Sequence, residues 1–262
     1  MENTRRPKQR LGQNFLRSQT VLEKIVIAAK LNKNETVLEI GTGNGNLTRF
    51  LAQSAGRVIT VEKDRALLAI AQHNLKEFAN ITFINQDVLS LAPERLRLKN
   101  YKVVGNIPYY LTGKLLELVL EEWSKPKLIV FLVQKEVAEK LLTQRKRSTL
   151  TVITQLLAKV EPVARVSRKL FWPEPKVDSV VIRLFPFSQN VFEQNPGLKK
   201  LIKSGFSHPR KLLISNLKTG LNLTEEKLLA SFIKLSLSPK CRAENLTPTD
   251  WLNLQQTIQK VQ

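Results

Sequence analysis

The sequence contains a single cysteine, Cys241, among 262 residues. One cysteine excludes an internal disulfide framework and is typical of a reducing compartment. The sequence also lacks any apolar run close to the roughly 18 residues of a membrane span. No apolar segment follows the basic N-terminus, as it would in a secretory signal. We therefore expect a cytoplasmic protein with no membrane partner.

Acidic residues are scarce, with 22 Asp and Glu against 42 Lys and Arg, which gives a formal net charge of +20. Disorder does not account for this charge, because 42% of the residues are hydrophobic and can fill a core. Residues 21–124 carry 13 basic and 11 acidic residues, whereas residues 125–185 carry 13 and 5, and residues 186–262 carry 11 and 5. The excess positive charge is thus concentrated in the second half of the chain, and this distribution favours a polyanionic partner over a surface that merely increases solubility.

Short apolar runs alternate with helical stretches along the first 185 residues. The strand-like runs are 36–40, 58–61, 81–84, 103–104, 128–133 and 177–185, and helical spacing is clear after Ser18, which can cap a first helix, and at 47–55 and 115–123. This alternation predicts an α/β fold, a Rossmann-like, doubly wound and mostly parallel sheet with helices on both faces. Beyond Pro186 the strand signals stop. Pro248 is placed to begin a helix, and a small all-helical C-terminal domain is expected.

Three alternate glycines, Gly41, Gly43 and Gly45, connect the first of these strands to a helix. Glycine permits a sharp turn and the close approach of a ligand, but the turn alone could serve a dinucleotide, a phosphate or only a tight connection. Glu62 ends the second strand, where a carboxylate can accept ribose hydroxyls, and Asp87 follows the third strand, where it can receive an adenine amino group. Glu39, just before the turn, would sit awkwardly beside a pyrophosphate. S-adenosyl-L-methionine, with an adenine, a ribose and a cationic end, meets these requirements.

The tetrapeptide Asn106-Ile107-Pro108-Tyr109 follows the fourth strand and resembles the N-[LIP]-P-Y signature of methyltransferases that modify exocyclic amino groups. The side-chain oxygen of Asn106 and the carbonyl of Ile107 could accept the two hydrogens of an adenine amino group and direct its lone pair at a sulfonium methyl. Pro108 fixes the turn. Tyr109 offers an aromatic face to a base that has left its stack. Alignment and desolvation can supply the catalysis, so no metal is expected.

The chain resembles the ribosomal RNA adenine dimethyltransferase family over its whole length. The motifs that carry the resemblance are 13–16 (QNFL), 39–45 (EIGTGNG), Glu62, Asp87, 106–109 (NIPY), 133–138 (VQKEVA), 171–179 (FWPEPKVDS) and 242–246 (RAENL). The resemblance implies a class I S-adenosylmethionine-dependent methyltransferase. Its activity would be the dimethylation of N6 on two adjacent adenosines in the loop of a 3′-terminal hairpin of 16S rRNA, during ribosome biogenesis. It also implies that the partner is the small ribosomal subunit or its assembly intermediate, and that the enzyme is a monomer.

The resemblance further assigns roles to particular residues. It implies that Asn14 and Leu16 help to close the cofactor site, and that the cofactor contacts the glycine turn, Glu62, Asp87 and Asn106. It places Phe171 with Tyr109 around the target base, although from the residues alone Phe171 reads as core packing beside two prolines. The implied domains are a basic arm at 1–17, a catalytic domain at 18–186 and a helical RNA- or ribosome-binding domain at 187–262.

The chain departs from the family pattern in three places. Thr42 stands where the family usually has proline, and residues 142–149 replace a stretch that commonly contains Gly and Tyr. In residues 206–211, His208 and Pro209 occupy positions where basic residues would be expected.

Three rival functions share parts of this pattern. A macrolide-resistance type of enzyme would methylate one adenine of 23S rRNA on the same framework, but the 171–179 and 242–246 motifs favour the small-subunit branch. DNA adenine methyltransferases more often have an acidic first residue and a second proline in the tetrapeptide. An assembly or transcription factor without activity would not need an intact 106–109 tetrapeptide together with Glu62.

Overall fold

The computed structural model describes residues 13–96 and 98–261. These residues form two compact units, of which the first contains the chain up to Ala138 together with Lys159–Pro186. The second contains Glu139–Ala158 together with the chain from Phe187 onward. Most of the arm expected at 1–17 lies outside the described residues, which begin at Gln13.

Strands dominate the first unit. The strands of the described chain are β1 (Phe15–Leu16), β2 (Thr36–Ile40), β3 (Arg57–Glu62), β4 (Ile81–Asn85), β5 (Lys102–Asn106), β6 (Leu128–Gln134), β7 (Ala158–Val166), β8 (Phe171–Trp172) and β9 (Ser179–Pro186). Seven of them form one sheet in the order β4-β3-β2-β5-β6-β9-β7, and β1 pairs with β8 in a separate antiparallel ribbon. Strands β2 to β6 pair in parallel, whereas β9 runs antiparallel to β6. The predicted doubly wound, mostly parallel sheet is confirmed.

Helices connect most of the successive parallel strands and make up most of the second unit. The α-helices of the described residues are α1 (Gln19–Ala29), α2 (Asn46–Ser54), α3 (Arg65–Asn74), α4 (Thr112–Glu117), α5 (Lys135–Leu142), α6 (Thr149–Leu157), α7 (Val191–Gln194), α8 (Leu198–Gly205), α9 (Leu213–Leu221), α10 (Glu225–Lys234) and α11 (Pro248–Val261). None of the helices in these ranges has the length and apolar content that crossing a bilayer requires.

The buried faces follow from the sequence periodicity. Strands β2, β5 and β6 are almost continuously buried, because a parallel strand covered on both faces has no solvent side. Helix α1 presents its apolar stripe, including Val21, Leu22 and Ile25, to the same core. This packing fixes where each parallel strand ends, and the functional residues follow those ends.

Several local expectations need correction. Ser18 does precede α1, but its side chain makes no capping hydrogen bond. The helix expected at 115–123 begins earlier as α4 and continues in π-helical form over Leu118–Glu122. The short helix α7 lies in residues 187–196, where the sequence analysis placed no individual element. Helix Pro248–Val261 begins at the proline that the sequence analysis identified.

Candidate active site

A cavity of about 250 Å³ lies at the carboxyl ends of the parallel strands in the first unit. Strand β2 pairs with β3 on one side and with β5 on the other, so the chain order reverses across β2. Doubly wound sheets bind ligands in the crevice at such a point. Four strand ends supply residues that line this cavity, namely Gly41, Glu62, Asp87 and Asn106.

The glycine turn presents bare main chain to the cavity. Gly41 and Gly43 have φ values of 83° and 57°, in the left-handed region that favours glycine. A Cβ on Gly43 would lie 3.2 Å from the ring of Phe15, another residue of the cavity wall. The amide N–H of Gly41 donates to the carbonyl oxygen of Val61 at 2.9 Å, which ties the turn to β3. At this turn a ligand therefore meets main chain and no side chain, and it can approach closely.

Glu62 is held by the main chain on both of its carboxylate oxygens. Its Oε2 accepts a hydrogen bond from the N–H of Gly43 at 3.0 Å, and its Oε1 accepts one from the N–H of Asp64 at 2.8 Å. Burial raises the pKa of this carboxyl group, while the two amide donors oppose that rise. Each oxygen retains further acceptor capacity toward the cavity. The geometry suits two vicinal hydroxyl groups of a ribose.

Asp87 is paired with a lysine that the sequence analysis did not single out. Its Oδ2 lies 2.8 Å from the Nζ of Lys63, and its Oδ1 accepts from the N–H of Leu89 at 3.0 Å. These bonds, that of Lys63 foremost, lower the pKa of Asp87, so it is ionised at neutral pH. Both Lys63 and Asp87 line the cavity. The carboxylate remains able to accept a further hydrogen bond from an amino group.

Asn106 is oriented by the N-terminal strand region. Its Nδ2 donates to the carbonyl oxygen of Asn14 at 2.9 Å. Since the amide nitrogen is committed to that bond, Oδ1 takes the acceptor role in the cavity. The N–H of Ile107 donates to the carbonyl oxygen of Leu132 at 3.2 Å, which fixes the tetrapeptide against β6. Asn14, Asn106 and Ile107 all line the cavity, as the tetrapeptide interpretation requires.

Tyr109 lines the cavity with its hydroxyl group anchored. The hydroxyl oxygen lies 2.9 Å from the Oγ of Ser179, the fully buried first residue of β9. Burial raises the pKa of the Tyr109 phenol, so it stays protonated at neutral pH. The anchored hydroxyl restricts the ring, and a fixed aromatic face is what stacking against a base requires.

Glu39 is buried beneath the glycine turn and is not part of the cavity wall. Its Oε2 accepts from the hydroxyl groups of Thr48 at 2.7 Å and Thr60 at 2.6 Å. Because the only hydroxyl hydrogen of Thr60 goes to Glu39, the hydroxyl of Thr42, 2.6 Å away, must donate to Thr60. Burial raises the pKa of Glu39 to about 8. Thr42, which replaces a proline usual in the family, therefore closes a hydrogen-bond chain under the turn.

Two predicted site residues lie outside the main cavity. Leu16 is 3% exposed and lines a separate cavity of about 40 Å³ beside the glycine turn. Phe171 is 4% exposed and packs in the hydrophobic core, as its pairing with Leu16 across β1 and β8 requires. Phe171 lines neither cavity, and Leu16 lines only the smaller one, which also contains Gly41, Gly43 and Asn106. Their roles, like those of the other site residues, stay predictions.

Other lining residues escaped the sequence analysis. Lys63 follows Glu62 directly, and its position after a strand end was the available signal. Tyr110 is 65% exposed at the cavity, next to the anchored Tyr109. Ser179 had no local signal for its bond to Tyr109, because 70 residues separate the two in the chain. No group of three or more His, Cys, Asp or Glu in the part of the chain that the structure describes could hold a metal ion.

The sequence matches known proteins along nearly its full length. A family model described as ribosomal RNA adenine dimethylase matches residues 4–260. The ribosomal RNA small subunit methyltransferase A of Dehalococcoides mccartyi is 36% identical over 255 residues, which cover 95% of this chain and 87% of that protein. The protein of the same name from Synechococcus elongatus is 38% identical over 262 residues, covering 94% of this chain and 93% of that protein.

Two solved structures share the fold over most of this chain. A dimethyladenosine transferase from Plasmodium falciparum has a TM-score of 0.78 and 27% identity, and the match covers 94% of this chain and 98% of that one. The 23S rRNA methyltransferase ErmE has a TM-score of 0.76 and 27% identity, covering 94% of this chain and all of that one, at 100%.

Proposed function

The chain belongs to the ribosomal RNA adenine dimethylase family, and we propose that it methylates N6 of two adjacent adenosines in a 3′-terminal hairpin loop of 16S rRNA. The methyl groups come from S-adenosyl-L-methionine. One observation carries the proposal above the others. The Nδ2 of Asn106 donates to the carbonyl oxygen of Asn14, which leaves Oδ1 as the acceptor of a side chain that lines the same cavity as Gly41 and Glu62.

The cavity residues fit S-adenosylmethionine. The turn at Gly41 and Gly43 leaves main chain, with no Cβ, against the ligand. Glu62 can hold the ribose hydroxyls, and Asp87 can receive the adenine amino group. Val61, Val88 and Leu89 are apolar residues of the same wall and suit the faces of an adenine ring. When bound, this cofactor supplies an electrophilic methyl group on a sulfonium.

The tetrapeptide prepares the nucleophile. The lone pair of an adenine amino nitrogen is delocalised into the ring, which makes that nitrogen a poor nucleophile. Acceptance of its two hydrogens by the Oδ1 of Asn106 and the carbonyl of Ile107 favours a pyramidal nitrogen with its lone pair available. Tyr109, anchored through Ser179, holds the base by stacking. Alignment of the two reactants supplies most of the acceleration, and the proton leaves for solvent.

The small subunit is favoured over the large one by the relatives that span the chain. Proteins named ribosomal RNA small subunit methyltransferase A match at 36% and 38% identity. ErmE shares the fold of this chain, and this similarity is the support for the alternative, methylation of an adenine in 23S rRNA. Both candidates use the same cavity, so the substrate must be distinguished by experiment.

The excess positive charge suggests how the RNA is held. Residues 21–124 carry 13 basic and 11 acidic residues, whereas residues 186–262 carry 11 and 5. We assign the chain from residue 187 onward a role in binding the phosphate backbone of the 30S subunit or its assembly intermediate. A monomer acting in the cytoplasm completes the proposal.

Transfer of radiolabelled methyl groups tests the proposed function. The purified protein and S-adenosylmethionine are incubated with under-modified small subunits in one reaction and with large subunits in another. We expect label only in small-subunit RNA, and we expect Asn106→Ala to abolish it. Asn34→Ala, which removes an exposed amide remote from the strand ends that form the cavity, is the matched control and should retain full activity. Label only in large-subunit RNA would replace the proposal with its alternative.

A further inference from the structure

An arginine and a tryptophan that are distant in the sequence form a stacked pair on the first unit. The guanidinium carbon of Arg17 lies over the ring of Trp172, 5.1 Å from its centroid. The antiparallel ribbon brings them together, because Phe15 pairs with Trp172 and Leu16 pairs with Phe171. The pair, termed here the Arg17–Trp172 platform, is absent from the cavity lining.

The antiparallel ribbon is held together without the contact between the side chains of Arg17 and Trp172. The N–H of Arg17 already donates to the carbonyl oxygen of Leu170 at 2.9 Å, which extends the main-chain ladder by one residue. Leu16 and Phe171 lie buried under the ribbon. The exposed Arg17 and the half-buried Trp172 are therefore available for another purpose.

The surrounding surface is basic and partly apolar. Arg168 is neutralised by Glu174, with Nε and Oε1 3.0 Å apart. Among the described residues, no ion pair is recorded for the exposed Lys169 and Lys176. Leu170 and Val177 add exposed apolar surface, at 36% and 39%. Cations interleaved with an aromatic ring are the chemistry that binds single-stranded nucleic acid.

The platform lies on a segment that also reaches the proposed base-binding site. Strand β8 holds Trp172, and the same segment ends at Ser179, which bonds the hydroxyl of Tyr109. Phe15, the strand partner of Trp172, is part of the cavity wall. An RNA strand that delivers a base to Tyr109 would therefore continue over this ribbon.

We propose that the Arg17–Trp172 platform binds the nucleotide adjacent to the target adenosine in single-stranded RNA. Trp172 holds the Arg17 guanidinium flat, its outer face stacks on the flanking base, and its N–H groups bind a backbone phosphate. Arg17 thus contacts the RNA, and Trp172 is a positioning residue. The inference rests on the proposed function and names the part of the substrate that this surface recognises.

The test measures binding directly, so that it does not depend on methylation. The probe is a fluorescein-labelled single-stranded RNA of ten nucleotides with two adjacent adenosines at its centre, titrated with the full chain in the presence of S-adenosylmethionine. We expect Arg17→Ala to weaken binding about tenfold, the size of effect that loss of one stacked base and one phosphate contact produces. The slope of log affinity against log salt should become shallower by about 0.7, the value for one phosphate contact with a single strand.

Further variants separate charge from stacking. Arg17→Lys keeps the charge, so it should preserve the salt slope while losing affinity. Trp172→Ala should weaken binding, whereas Trp172→Phe, which keeps an aromatic ring, should retain most of the wild-type affinity. The double variant Arg17→Ala/Trp172→Ala should bind no more weakly than Arg17→Ala, because Trp172 acts through Arg17. Arg57→Ala, at the opposite end of β3 from the cavity, is the matched charge control and should bind like the wild type.

Two results would overturn the inference. One is an affinity of Arg17→Ala equal to that of Arg57→Ala. The other is a parallel loss of S-adenosylmethionine affinity and thermal stability in the Arg17 and Trp172 variants, which would mark a structural role. If the wild type methylates no RNA while the platform variants still weaken RNA binding, the proposed function fails, and what stands is that the platform binds single-stranded RNA.

Discussion

The buried carboxyl group of Glu39 makes protein stability depend on pH in a way that one substitution should remove. Glu39 is 0% exposed, and its Oε1 has no hydrogen-bond partner among the described residues. Burial raises its pKa from 4.5 to about 8. A raised folded-state pKa means that the contribution of this group to stability is complete below pH 4.5 and is lost as the pH rises to 8.

The magnitude follows from the shift. In this window the free energy of unfolding falls by about 1.4 kcal/mol for each pH unit, or by about 5 kcal/mol over the whole interval. That is a large part of the roughly 5–15 kcal/mol of a typical domain. Glu39→Gln removes the titration but keeps an acceptor oxygen for the hydroxyls of Thr48 and Thr60. Its amide nitrogen replaces the unpartnered Oε1, at a cost of about 1–3 kcal/mol that does not vary with pH.

Urea unfolding of both proteins at intervals from pH 5 to pH 9 measures the difference. All other titrating groups contribute equally to both proteins, so the difference isolates Glu39. We expect Glu39→Gln to be the less stable protein at pH 5 and the more stable one at pH 9. A stability difference that stays constant to within about 1 kcal/mol across this range would refute the assignment of a protonated, desolvated Glu39.

Three further predictions concern the active site. Glu62→Gln leaves one acceptor oxygen for two main-chain donors, so the affinity for S-adenosylmethionine, measured by calorimetry, should fall at least about tenfold. The control Glu77→Gln changes an exposed carboxyl group and should bind the cofactor like the wild type. Because burial raises the pKa of Glu62, cofactor affinity should fall with decreasing pH earlier than for an exposed carboxyl group, and a fall that begins no earlier than expected for such a group would contradict this. Ser179→Ala frees the Tyr109 hydroxyl and should raise KM for RNA while leaving cofactor affinity unchanged; equal losses in both would argue for a general structural effect.

The strand ends show what could be predicted from the sequence. Gly41, Glu62, Asp87 and Asn106 each follow an apolar run, and the carboxyl ends of parallel strands must meet at one edge of the sheet. Local patterns therefore sufficed to bring these four residues together. The five parallel strands and the doubly wound character of their sheet followed from the same alternation, whereas β7 was not predicted.

What could not be predicted depends on contacts between distant segments. The assignment of Glu139–Ala158 to the second unit reflects tertiary packing, since α6 reads locally as one more helix of the first 185 residues. The pairing of β8 with β1 was not predicted, because strands of two residues are too short to show an alternating pattern, although the residues alone had favoured core packing for Phe171. The bond between Asp87 and Lys63 depends on a side chain at the end of a neighbouring strand.

The most direct test of the central claim is the position of the methyl groups. Under-modified small subunits are incubated with the protein and S-adenosylmethionine, and the rRNA is digested and mapped by mass spectrometry. We predict N6-dimethyladenosine at two adjacent positions in a 3′-terminal hairpin loop of 16S rRNA, and none with Asn106→Ala. The absence of adenine methylation there, or its presence only in large-subunit RNA, would contradict the proposed function.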